Sequence, residues 1–290
     1  MTWWYTRLKA SALPGSRLFA RLVGYAYHLI HDVIGGRRGA LAQLAELKDR
    51  VGRECVPLDR LVEIKASYPS VPHSLTNHPY MRVGTGRDLT IAPLKQLLHD
   101  HELGIWTLSV DVIEHVHQWV LEHQPAKVLE FSSGVSTVVL ADAMSRYMSV
   151  PDVTPIMSIE QDVDCAQKTM AILKQAGLEK WATVHHVPVG QTDYAEAPCY
   201  NLPDSGLMTE LRGEYGLILI DGPSCSRRAT LPMACQLVTV PCPFMLDDAL
   251  RDDEIEDLRA WSKRSDVQLK GVRLIGKGLA EGIVEPAAES

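Results

Sequence analysis

From Trp106 onward, short apolar runs alternate with segments whose apolar residues recur every three or four positions. The first periodic segment reaches about Glu122 and carries Val112, Ile113, Val116, Trp119 and Val120 on one side, with Ser109 as its expected N-cap. Apolar runs follow at Lys127-Val-Leu-Glu-Phe131, Ile156-Met-Ser-Ile-Glu160, 183–187, Tyr215-Gly-Leu-Ile-Leu-Ile220 and Pro243-Phe-Met-Leu246. Helical patterns separate them, over 137–144, 163–177 and 252–262, and two more strand candidates, 267–274 and 280–284, come last. A run such as Leu217-Ile-Leu-Ile220, apolar at every position, marks a strand covered on both faces. The alternation predicts an α/β fold with a doubly wound, mostly parallel, Rossmann-like sheet.

Upstream the pattern changes. Residues 1–60 read as a helical, basic N-terminal extension, with Leu41, Leu44, Leu47 and Val51 on one face. Residues 61–105 read as an irregular connecting segment, with Pro69, Pro72, Pro79, Pro93 and a Gly84-Thr-Gly86 turn. Residues 106–290 form the expected α/β domain. A length of 290 residues accommodates this organisation, and 46% hydrophobic with 22% charged residues excludes a disordered or collagen-like chain.

The net charge of −7 argues against a nucleic-acid partner. Its distribution is uneven: residues 1–45 hold six basic side chains and one acid, leaving −12 on the rest. Trp3, Trp4, Tyr5, Phe19, Tyr25 and Tyr27 interleave with those arginines. That leaves two readings open for residues 1–45, a peripheral contact with a membrane surface or a helical cap packed on the domain or a second subunit. The apolar stretch 18–34 is broken by Arg21, His28, His31 and Asp32 and is not expected to span a bilayer, and Met1 is not followed by a secretory leader pattern. Six cysteines without a C-x-x-C pair fit a reducing, cytoplasmic setting.

In an open parallel sheet, ligands bind where the strands end. The first polar cluster there is Glu130-Phe-Ser-Ser-Gly-Val-Ser-Thr137, a small-residue turn leading into a helix N-terminus. The second is Glu160, whose carboxylate can accept both hydroxyls of a ribose. Val128-Leu-Glu-Phe-Ser-Ser-Gly-Val-Ser-Thr137, Ser158-Ile-Glu160 and Leu217-Ile-Leu-Ile-Asp-Gly-Pro223 resemble the cofactor-binding strands of class I S-adenosylmethionine-dependent methyltransferases. The resemblance implies a seven-stranded sheet with a reversed final hairpin. It also implies that Glu130, Ser132, Ser133 and Gly134 border the methionine part of the cofactor, with Ser136 and Thr137 beginning the next helix. By the same resemblance, Glu160 would hold the ribose and Gln161 would lie near the adenosine. The family usually has glycine where this chain has Ser132, so a side chain narrows the approach here. A nicotinamide-dependent oxidoreductase is the weaker reading, because the turn lacks the G-x-G-x-x-G that pyrophosphate requires.

The third cluster is Asp221 with Asp247 and Asp248. Three carboxylates at neighbouring strand ends need a cation or buried partners. Oxygen-only ligands suit Mg²⁺, and the pattern resembles the divalent-metal-dependent O-methyltransferases of the same superfamily. That likeness implies Mg²⁺ on Asp221, Asp247 and Asp248, with Asp221 in the catalytic role. A metal there fixes two neighbouring hydroxyls of an acceptor and lowers the pKa of one. An acidic rim that binds substrate without metal is the alternative. No general base is evident: Gly222-Pro-Ser-Cys-Ser226 is followed by Arg227-Arg228, which stay protonated. The two arginines read either as anion- or sugar-binding groups or as solvated surface residues. His115 with His117 and His185 with His186 point to opposite sides of their elements and read as packing or surface residues. His28 with His31 lacks a third ligand, and Cys225, Cys235 and Cys242 lack zinc spacing. The reading that emerges is methylation of a small hydroxylated acceptor of sugar, phenol or natural-product type, with a non-catalytic, methyltransferase-like binding module as the rival.

Overall fold

The computed structural model describes residues 55–66, 84–191, 197–224 and 226–287. The readings for residues 1–45, the Leu41–Val51 face, the His28–His31 pair and Cys225 lie outside the described residues. The chain divides into two units, Met1–Gly52 with Arg60–Ser70, and Arg53–Asp59 with Val71–Ser290. Helix α1, Leu58–Ala66, is the described element at the first boundary.

The second unit opens with a short hairpin, β1 (Gly84–Thr85) and β2 (Glu102–Leu103), around a 3₁₀ turn at Gly86–Asp88 and helix α2 (Ala92–Leu97). Thr85 and Asp88 cap that turn reciprocally, Asp88 accepting the Thr85 N–H at 2.8 Å. Leu89, Leu94, Leu98 and Leu103 are buried in the same apolar cluster as the helices that follow. Gly84, Gly86 and Pro93 therefore punctuate a folded segment over 84–103, held by leucines too widely spaced to show a period, while Pro69, Pro72 and Pro79 lie outside the described residues.

Next come α3 (Val110–His123), β3 (Val128–Phe131), α4 (Val135–Ser145), β4 (Ile156–Glu160), α5 (Val163–Gln175) and β5 (Ala182–His186). An excursion follows: β6 (Val189–Gln191) pairs with β7 (Pro198–Tyr200), and two single-turn helices, α6 (Leu202–Ser205) and α7 (Met208–Leu211), lead out of it. The domain closes with β8 (Leu217–Ile220), α8 (Thr230–Leu237), β9 (Cys242–Leu246), α9 (Asp252–Trp261), β10 (Val267–Arg273) and β11 (Leu279–Val284).

The seven-stranded sheet has the order β10-β11-β9-β8-β3-β4-β5. Strands β9, β8, β3, β4 and β5 run parallel; β11 and β10 form the reversed hairpin. The sequence-based expectation of an α/β, doubly wound, mostly parallel sheet holds. Every residue of β3, β4 and β8 is buried, as their unbroken apolar runs require. Strand order reverses at β3, which has β4 on one side and β8 on the other, so the crevice belongs at the ends of β3 and β8.

Ser109 occupies the N-cap position of α3 but does not cap it; its hydroxyl donates to Asp111 Oδ1 at 2.9 Å instead. His117 is buried against Asp142 at 2.8 Å, and His115 lies 3.2 Å from Glu281, so both are packing residues. Among the described residues, no helix is long and apolar enough to cross a membrane.

Candidate functional site

Parallel pairing continues one residue past the strand ends and sets the turns side by side. Ser132 N–H donates to Ile159 O (2.8 Å), Asp221 N–H to Phe131 O (2.9 Å) and Asp247 N–H to Ile220 O (2.9 Å). The β3 turn therefore lies between the ends of β4 and β8, and the acids after β8 and β9 are neighbours.

In the β3 turn the backbone enters the positive-φ region twice, at Ser132 (φ 105°) and Gly134 (φ 146°). A glycine tolerates this freely, whereas a serine is strained there. Space beside Gly134 is open: a Cβ there would meet nothing within 4 Å. The Gly134 N–H donates to Thr137 Oγ1 (3.0 Å), and that hydroxyl donates to Glu130 Oε2 (2.7 Å). Ser158 Oγ donates to the same oxygen, leaving Glu130 Oε1 buried without a hydrogen-bond partner. Burial pushes the Glu130 carboxyl up to about 7, against the pull of the Ser136, Ser158 and Thr137 hydroxyls.

Glu160 ends β4 beside this turn. Its Oε2 accepts the Ser133 N–H (2.8 Å) and the Ser133 hydroxyl (3.0 Å), and its Oε1 accepts the Asp162 N–H (2.9 Å). An ionised carboxylate has about four acceptor positions, so these three bonds leave one for a ligand. Gln161 reaches the other way: its Nε2 donates to Ser224 Oγ (2.8 Å), and its Oε1 accepts the Ser224 N–H (3.0 Å). The ends of β4 and β8 are thus tied together across the β3 turn.

Tyr200 at the end of β7 adds a group that sequence reasoning missed. It is fully buried, its ring 5.9 Å from that of Phe131, and its hydroxyl has no partner. A Cβ on Gly222 would collide with that hydroxyl and crowd Ser132, which locates Tyr200 Oη against the β3 and β8 turns. No local signal distinguishes Tyr200 from the chain's other tyrosines.

The third cluster assembles: one oxygen from each of Asp221, Asp247 and Asp248 lies within 4.8 Å of the others. What surrounds it was not legible in the sequence. Arg227 is 6% exposed rather than solvated, with Nη2 at 2.9 Å from Asp221 Oδ1 and 3.2 Å from Asp248 Oδ2. Its Nη1 lies 3.3 Å from Glu254 Oε1 and donates to Asp247 O at 2.8 Å. Arg251 Nη2 sits 2.6 Å from Asp248 Oδ2, and Lys277 Nζ 2.5 Å from Asp248 Oδ1. Arg228, its neighbour in sequence, is 39% exposed and turns away to Asp257 (3.4 Å).

Burial alone would raise Asp248, but Arg227, Lys277 and Arg251 hold its carboxyl below the usual range. Asp221 is pushed up to about 6 by burial and by Asp248, with Arg227 opposing. Asp247 is driven well above the carboxylate range by burial and by its two acidic neighbours, and both its oxygens lack hydrogen-bond partners. Asp221 and Asp248 already pair with cations of the chain, so a divalent metal at these three carboxylates would compete with a guanidinium or an ammonium. The compensation that the three acids require comes from side chains.

No family model matches the sequence, and no curated protein matches it. Among solved structures, the chain is similar to the O-methyltransferase of tomaymycin synthesis from Streptomyces achromogenes, in complex with SAM. The identity is 15%, over 79% of this chain and 96% of that one, with a TM-score of 0.46. It is also similar to the O-methyltransferase from Bacillus cereus in complex with SAH (13% identity, 83% and 96% covered, TM-score 0.45). A third is the SAH-bound methyltransferase from Podospora anserina (13% identity, 79% and 95% covered, TM-score 0.49). Likenesses of this size carry no assignment of function, which rests on the residues.

Proposed function

We propose that this protein is an S-adenosylmethionine-dependent methyltransferase acting on a hydroxyl of a small acceptor. The observation that carries this reading is the meeting of Glu160 with the Ser133 N–H at the switch point of the sheet, beside the open backbone of Gly134. Pyrophosphate recognition is disfavoured by the Ser132 and Ser133 side chains; a nucleoside without phosphates has no such demand.

The residues fit the cofactor part by part. Glu160 has one free acceptor position for a ribose hydroxyl, and Gln161 borders the adenosine. Glu130 Oε1, buried and without a partner, suits the amino group of the methionine portion, with Ser132, Ser133 and Gly134 lining the approach. Ser136 and Thr137 support this wall from within α4. When bound, the cofactor would supply a sulfonium methyl group, which an acceptor oxygen takes as the carbon–sulfur bond breaks and the neutral thioether leaves.

The chain's own contribution is positioning and proton management. Asp221 is the group we assign to receive the acceptor's hydroxyl proton, since its carboxyl lies at about 6 and Arg227 fixes its orientation. The acceptor itself is of sugar, phenol or natural-product type.

Calorimetry with S-adenosylhomocysteine tests the cofactor assignment. Binding is expected in the wild-type chain, is lost in Glu160→Ala and is weakened in Glu160→Gln. Undiminished affinity in both variants would remove the ribose assignment. A thermal shift with S-adenosylhomocysteine but not with NAD excludes the oxidoreductase reading, and turnover of any hydroxylated acceptor excludes a non-catalytic module.

A further inference from the structure

We infer that Arg227 does the work of a divalent cation among Asp221, Asp247 and Asp248, so that this acidic cluster is closed by the chain's own cations and takes up no metal. The inference concerns the ion alone and stands or falls separately from the methyl-transfer reading. Its basis is geometric. A single nitrogen, Arg227 Nη2, bridges Asp221 Oδ1 at 2.9 Å and Asp248 Oδ2 at 3.2 Å, joining carboxylates from the ends of two different strands. The same guanidinium donates to the main-chain oxygens of Asp221 (2.8 Å) and Asp247 (2.8 Å), so it sets both turns as well as their side chains. A planar fork of fixed donors suits this bridging task, and arginine cannot lose its charge.

The charge count leads the same way. Four acids, Asp221, Asp247, Asp248 and Glu254, share the pocket with Arg227, Arg251 and Lys277. Counted as fully ionised they leave one negative charge, and Asp247, buried beside Asp221 and Asp248 with neither oxygen hydrogen-bonded, is the group that takes up a proton. One proton or one ligand donor balances it, whereas a dication overshoots. Both oxygens of Asp248 lie at ion-pair distance from cations of the chain: Oδ1 from Lys277 at 2.5 Å, and Oδ2 from Arg251 at 2.6 Å and Arg227 at 3.2 Å. Lys277 comes from the turn between β10 and β11, more than fifty positions after Asp221, and its Nζ also donates to Ile105 O (3.4 Å).

Mn²⁺ provides the test, read by the paramagnetic resonance of free Mn²⁺ and by the melting temperature of the full chain. The wild-type chain is expected to leave millimolar Mn²⁺ free and to melt unchanged by it. Arg227→Gln, which empties the bridge, is expected to bind Mn²⁺ and to gain melting temperature with it. Should that variant not fold, Lys277→Gln, which frees Asp248 Oδ1, takes its place with the same readout. Stoichiometric uptake by the wild type that disappears in Asp247→Asn would overturn the inference. So would the absence of binding in both the wild type and the variant, because Arg227 would then not be what excludes the ion.

Discussion

The carboxylate of Glu160 accepts both the backbone N–H and the hydroxyl of Ser133, at 2.8 and 3.0 Å, from the adjacent strand end. This contact pins the β3 turn to β4 and presents Glu160 toward the crevice. Ser133 Oγ also lies 3.2 Å from Thr169 Oγ1 on α5, so one hydroxyl links three elements. Ser133→Ala removes the side-chain bond and keeps the backbone one. It is expected to cost about 1–2 kcal/mol of stability, between the net value of an ordinary hydrogen bond and the larger value of one to a charged group. Urea denaturation measures this, and an unchanged midpoint would show the hydroxyl to be idle.

Ser132 holds φ at 105°, where a Cβ is unfavourable. Ser132→Gly therefore relieves strain and is expected to raise stability by about 1 kcal/mol, less the extra freedom of glycine in the unfolded chain. It also widens the turn, so S-adenosylhomocysteine is expected to bind several-fold more tightly. A variant that melts lower than the wild type would contradict the strain argument.

Glu130 makes stability depend on pH in a definite direction. Its carboxyl is raised from the ordinary 4.5 to about 7, so the folded state holds the proton more tightly than the unfolded chain. The contribution is complete below 4.5 and is lost as pH rises through 7. The full swing is about 3 kcal/mol. Glu130→Gln removes it while keeping an oxygen for Thr137 and Ser158. The difference in unfolding free energy between variant and wild type should therefore move in the variant's favour from mildly acidic to mildly basic pH.

Glu281 works in the opposite sense. Burial would raise it, but His115 and Arg273 outweigh burial and bring its carboxyl down to about 2. Arg273 Nε donates to it at 2.7 Å across the β10–β11 hairpin. This contribution is present above 4.5 and is lost as pH falls toward 2. Allowing for solvent screening, it is worth about 1–2 kcal/mol. Glu281→Gln should unfold at higher pH in an acid titration followed by circular dichroism. An unchanged acid midpoint would show that the hairpin does not depend on this ion pair.

The parts of the fold set by local pattern were legible in the sequence. The apolar runs that became β3, β4 and β8 are buried at every position, so burial could be read without knowing their partners. The small-residue turn after β3 was legible as the entry to a helix N-terminus, though not that Ser132 and Gly134 would both take positive φ. What escaped depends on contacts distant in sequence. Arg227 and Arg228 are adjacent and chemically identical, yet one is buried among four acids and the other faces α9; only the register of β8 and β9 decides which. Lys277 is a hairpin-turn lysine in any one-dimensional reading, and it meets Asp248 only because β11 pairs antiparallel with β9. Ser109 shows a local failure: Asp111, two residues on, took the hydroxyl that capping required.

A crystal structure of the protein with S-adenosylhomocysteine tests the central claim most directly. The account predicts a ribose hydroxyl within hydrogen-bond distance of Glu160, the adenine beside Gln161 and the amino group near Glu130 Oε1. A nucleoside bound elsewhere, or a Glu160 carboxylate left with Ser133 and Asp162 alone, would contradict it.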